Sequence, residues 1–111
     1  MSPLDYQELA ARTEKLLDQK GRLQHALLGL TSEAGEIADT IKKYVIYSQP
    51  LDHENIQEEI GDLLWYVALL ANACQLDLEV CMIENIRKLR KRYPASYSDQ
   101  HAAERLDKQE G

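Results

Sequence analysis

Apolar residues recur every three to four positions along this chain, and the two-residue alternation of a half-buried strand is absent. The pattern predicts an all-α fold of four helices. Residues 4–19 form the first, with Leu9, Leu16 and Leu17 among its apolar positions and Gly21 ending or kinking it. Residues 22–47 form a long second helix whose stripe runs Leu23, Leu27, Leu30, Ala34, Ile37, Ile41 and then Tyr44 or Val45. Residues 48–52 read as a loop, and Asp52 caps a third helix over about 53–75, with Ile56, Ile60, Leu63, Val67, Leu70 and Cys74 on its stripe. Asp77 caps a fourth helix, 78–92, which stops before Tyr93-Pro94 because the residue ahead of a proline is steered out of the helical region. Residues 1–94 then make one domain, and 95–111 a polar tail expected to be mobile.

Two segments run against helical comfort. Glu33-Ala34-Gly35-Glu36 and Glu59-Ile60-Gly61-Asp62 each set two carboxylates three positions apart, with a glycine just before the second acid. Like charges at this spacing share a face and repel, and a helical glycine costs about 1 kcal/mol relative to alanine. All four acids precede a stripe residue by one position, so both pairs flank a buried seam at the same angular offset. Asp39 continues the spacing but drifts off the seam. If helices two and three pack antiparallel, as their short loop favours, the rows face each other across a groove. Carboxylates converging from two helices suit hard cations, Mg²⁺ or Mn²⁺. The glycines would let phosphate oxygens, water or a neighbouring helix come close. A solvated acidic face explains either pair alone, but the repetition in consecutive helices favours metal binding by Glu33, Glu36, Glu59 and Asp62. A di-iron bundle is disfavoured, since its motif needs Glu-x-x-His and none of His25, His53 or His101 has a glutamate three positions earlier.

Composition narrows the classes. The chain has 111 residues, no phenylalanine and a net charge of −6, so aliphatic side chains supply most of a modest core and oligomerisation would help complete it. No apolar run approaches the roughly 20 residues of a membrane span, no signal peptide is apparent, and Cys74 and Cys81 are not in a CxxC arrangement. A cytoplasmic protein with reduced cysteines and no membrane partner is the expectation. An acidic body argues against nucleic-acid binding. Arg87, Lys88, Arg90, Lys91 and Arg92, however, place five cations in six positions. Some of them complement the helix C-terminus, but five exceed that need and suit a small polyanion bound with metal ions.

Other candidates are less specific. Lys42 and Lys43 sit nearly two turns beyond Glu36, where they would screen the acids or serve structure. Trp65 and Tyr66 follow Asp62, with Trp65 read as core or subunit interface before base stacking. His25, eight residues before Glu33, is a candidate for a base or phosphate contact as well as for packing. Asn85 precedes Lys88 by three positions and shares its face.

Taken together, these residues resemble the all-α nucleoside triphosphate pyrophosphohydrolase superfamily, in particular its compact MazG-like members. The resemblance rests on Glu33-x-x-Glu36, 22 intervening residues, Glu59-x-x-Asp62, and then Asn85-x-x-Lys88-Leu89-x-x-Arg92-Tyr93-Pro94, and covers residues 22–98. It implies a protomer working as a dimer or dimer of dimers, and Mg²⁺-dependent hydrolysis of a nucleoside triphosphate to the monophosphate and pyrophosphate. Two or three ions per site are implied, with the four motif acids as ligands and Asn85, Lys88, Arg92 and Tyr93 among the substrate contacts. One departure matters: where many relatives carry a further acid immediately before the first motif glutamate, this chain has Ser32. Glu36 or a metal-bound hydroxide is then left as the base. Two rivals stand beside the enzyme, a sensor that binds metal and nucleotide without turnover and a non-catalytic helical partner protein.

Overall fold

A computed structural model describes residues 1–94 and 98–105. Five helices follow one another: α1 Pro3–Ala11, α2 Gln19–Val45, α3 His53–Ala73, α4 Leu78–Arg92 and α5 Asp99–Glu104. The short α5, capped by Ser98, falls in the expected tail and packs on α4. The rest of that tail, 95–97 and 106–111, lies outside the described residues. No strand occurs among the described residues.

The first helix is much shorter than its periodicity predicts. Ser2 and Asp5 form a reciprocal capping box, with Pro3 in the first turn. At the other end, Thr13 donates from both its amide and its hydroxyl to the Ala10 carbonyl and closes a terminal turn. Asp18, not Gly21, sets the next boundary. Its carboxylate accepts the Gly21 amide at 2.7 Å, and a Cβ on Gly21 would stand only 2.9 Å from that oxygen. Gly21 therefore serves the start of α2 rather than the end of α1. Leu16, expected on the first apolar stripe, is left 97% exposed in the connecting segment.

α2 and α3 form an antiparallel hairpin, with Thr40 beside Glu59 at the loop end and Gly29 beside Tyr66 further along. The core is small and built on alanine: Ala10, Ala26, Ala68 and Leu69 are buried, with Tyr6, Trp65, Tyr66 and Leu70 packed on them. Buried Gln7 ties α1 to the α3–α4 junction. Its amide nitrogen donates to Asn72 Oδ1 and the Leu76 carbonyl, and its oxygen accepts the Leu78 amide at 2.8 Å. That amide opens α4 and would otherwise lack a partner.

α4 turns away from α3 by 104° and packs on α1 and α5 rather than on α2. It has no buried residue, and Val80, Met82, Ile83 and Ile86 each stand about half exposed. Leu27 and Leu28 of α2 are more exposed still, so the predicted α2 stripe is only partly covered within the protomer. The radius of gyration is 17.3 Å, against about 13 Å for a compact domain of this size. No single helix among the described residues is long and apolar enough to cross a membrane.

Candidate functional site

The hairpin brings the two acid pairs within electrostatic reach of one another. Burial holds the Glu33 carboxyl above its ordinary range, and the charges of Glu36, Asp62 and Glu59 and a hydrogen bond with Glu36 push in the same direction. Glu33 Oε2 is buried without a hydrogen-bond partner. Glu59 is also buried. Its Oε1 accepts from Asn55 Nδ2 at 3.1 Å and its Oε2 from Thr40 Oγ1 at 3.3 Å. Glu36 and Asp62 lie at the exposed rim. The row is thus graded, with one acid of each pair turned inward and one outward. Among the described residues, no three carboxylate, imidazole or thiol groups converge closely enough to enclose an ion.

The neighbours of the row modify several expectations. A Cβ built on Gly35 or Gly61 would meet nothing within 4 Å. Both glycines face open space. Lys42 and Lys43 pair with Asp39 at 3.6 and 3.3 Å, and Lys43 above all holds the Asp39 carboxyl below its ordinary range. Tyr6, from a helix that carried no functional signal, reaches the row and donates its hydroxyl to the Gly61 carbonyl at 3.4 Å. Burial and the Asp62 charge raise the Tyr6 pKa. Thr40 and Asn55 also passed unnoticed in the sequence, although each stands four residues, one helical turn, from a motif acid.

His25 lies in an aromatic cluster with Trp65 and Tyr66. Its ring meets Trp65 at 6.2 Å and Tyr66 at 5.6 Å, both edge to face, and Trp65 meets Tyr66 at 5.0 Å. Trp65 Nε1 donates to Thr13 Oγ1 at 3.1 Å, while His25 Nδ1 is buried without a partner. The remaining candidates are on α4. Asn85 and Lys88 are exposed, and among the described residues neither makes a hydrogen bond or ion pair with a motif acid. Arg92 and Tyr93 are half-buried at the helix end. The protomer therefore assembles the acids but does not bring Asn85 and Lys88 onto them.

Gene 37 protein of Mycobacterium phage L5 is 37% identical over 75 residues, covering 63% of this chain and 65% of that protein. The dCTP pyrophosphatase 1 of Rattus norvegicus is 30% identical over 100 residues, covering 85% of this chain and 59% of the rat protein. For the Homo sapiens protein of the same name the values are 30% over 88 residues, 74% and 52%. The chain thus spans between about half and two thirds of the length of these relatives. No solved structure matches it significantly. The MazG nucleotide pyrophosphohydrolase domain matches residues 22–97, a stretch holding both acid pairs and the basic helix, and this chain belongs to that family.

Proposed function

We propose that this chain hydrolyses a nucleoside triphosphate to the monophosphate and pyrophosphate, using divalent cations held by Glu33, Glu36, Glu59 and Asp62. The observation that carries the reading is the graded row of four carboxylates, with the buried and unpartnered Glu33 Oε2 at its inner side. That donor set is all oxygen, which fits Mg²⁺ or Mn²⁺. When bound, such ions polarise the phosphoryl oxygens and offset the charge of the triphosphate.

Within this scheme Glu59 is an anchored ligand and Glu33 a ligand whose open oxygen gains a partner. Glu36, exposed at the rim, would take a proton from the attacking water, since Ser32 has no carboxylate to do so. Water adds at the α-phosphorus, the bond to the bridging oxygen breaks, and pyrophosphate departs. Asn85, Lys88, Arg92 and Tyr93 would contact the substrate phosphates or sugar. His25, with Trp65 and Tyr66, would border the base. The uncovered apolar faces of α2 and α4 support a homodimer or a dimer of dimers, in which α4 meets surfaces that it lacks in the protomer. The names of the mammalian relatives make dCTP a nucleotide to test early.

Incubation with Mg²⁺ and a panel of standard and modified nucleotides, followed by product separation, tests the reading. Monophosphate with pyrophosphate is expected. Diphosphate with phosphate would overturn it, and binding without turnover would favour the sensor that Ser32 keeps in play.

A further inference from the structure

Glu59 carries a buried charge with no cation against it. Among the described residues it makes no ion pair, and only the neutral side chains of Thr40 and Asn55 hold it. Lys43 lines the same cavity as Thr40 and Asn55 but is engaged by Asp39 at 3.3 Å. The donor count closes without slack. Asn55 Nδ2 has two protons, one directed to Thr40 Oγ1 at 2.7 Å and one to Glu59 Oε1 at 3.1 Å. The Thr40 hydroxyl, having accepted from Asn55, points its own proton toward Glu59 Oε2 at 3.3 Å or the Glu36 carbonyl at 3.2 Å. The opposite amide orientation would turn the Asn55 oxygen onto the carboxylate, which only accepts.

From this geometry we infer that Thr40 and Asn55 are positioning residues for Glu59, fixing the direction in which its carboxylate faces a divalent cation. Neutral donors can do this where a lysine cannot. With the Thr40 proton on Oε2 they restrain both oxygens yet leave the charge uncancelled, and each oxygen keeps a lone pair for an ion. A partner on each helix also pins the carboxylate to α2 as well as to its own α3. The inference rests on the metal reading above.

The test is Mn²⁺ titration of the metal-free protein, following free ion by electron paramagnetic resonance, with thermal melts of every variant. Asn55→Ala and Thr40→Val are each expected to weaken Mn²⁺ binding about ten- to a hundredfold, the usual loss when an outer partner of a metal ligand is removed. Thr40→Ser, which keeps the hydroxyl, should retain wild-type affinity. Asp52 caps the Asn55 amide whatever the side chain, so Asn55→Ala keeps the α3 start intact and decides the matter should Thr40→Val not fold. Wild-type affinity in Asn55→Ala would overturn this inference alone. A wild-type protein that binds no Mn²⁺ would overturn the metal reading and this inference together.

Discussion

The ring of Tyr66 fills the space that a Cβ on Gly29 would need, so a bare helix backbone on α2 receives an aromatic side chain from α3. This contact sets how closely the hairpin closes beside the acid row. Gly29→Ala gains about 1 kcal/mol of helix propensity but must displace the ring, at an overpacking cost of about 1–3 kcal/mol. Net destabilisation in urea unfolding is expected. Gly35→Ala and Gly61→Ala meet nothing within 4 Å and should stabilise by up to about 1 kcal/mol each. If their open face admits substrate, they lose activity while gaining stability. Equal effects at all three glycines would show that the Tyr66 contact is unimportant.

Glu36→Gln and Glu59→Gln are both expected to abolish turnover, but to part in stability. Glu36 is exposed, and neutralising it relieves repulsion with Glu33, so the metal-free variant should melt at or above the wild-type temperature. At Glu59 a carboxamide turns one accepting oxygen into an NH₂ group, so either Asn55 loses its acceptor or the Thr40 hydroxyl must give its proton to the Glu36 carbonyl alone. Losing a buried hydrogen bond to a charged group costs about 1.5–3 kcal/mol, so Glu59→Gln should melt lower. Wild-type turnover in Glu59→Gln would remove the central element of the proposed function.

The pH dependence follows from Glu33. Its folded carboxyl is held above the ordinary value of 4.5, first by burial and then by Glu36 and Asp62. The folded state therefore holds this proton more tightly than the unfolded chain does. The resulting stability is fully present below the unfolded value and is lost as pH rises through the raised folded one. In metal-free protein, the stability advantage of Glu33→Gln over wild type should be absent in acid and grow through that window. Melts from acidic to neutral pH check this, and a difference independent of pH would contradict it.

The half-exposed Val80, Met82, Ile83 and Ile86 on a helix with nothing buried predict association. Light scattering at micromolar concentration should return at least twice the 12.7 kDa of the chain. Ile83→Asp is expected to shift the equilibrium toward monomer, because a charge at the centre of a buried apolar face is costly. A wild-type mass of one chain would contradict the assembly.

Much of the fold is local and was legible as such. Asp52 and Asp77 cap helices where a short acidic side chain can reach a free amide, and the carboxylate pairs share a face because three residues make nearly one turn. The apolar period, by contrast, ran through Leu16 and Leu17 and overstated the first helix. Thr13 and Asp18 bond to the backbone there, and that competition leaves no mark on periodicity. What no single helix contains is the meeting of separate ones. The sequence by itself determined that four acids would lie in two rows. The tertiary structure decided that Glu33 and Glu59 turn inward while Glu36 and Asp62 stay at the rim. It also decided that Tyr6 reaches Gly61, that Thr40 and Asn55 close on Glu59, and that Asn85 and Lys88 stand off the row on a helix bent away from it. Those outcomes depend on the register and crossing of helices joined by turns, where a shift of one residue rotates a side chain by about 100° and exchanges buried for exposed.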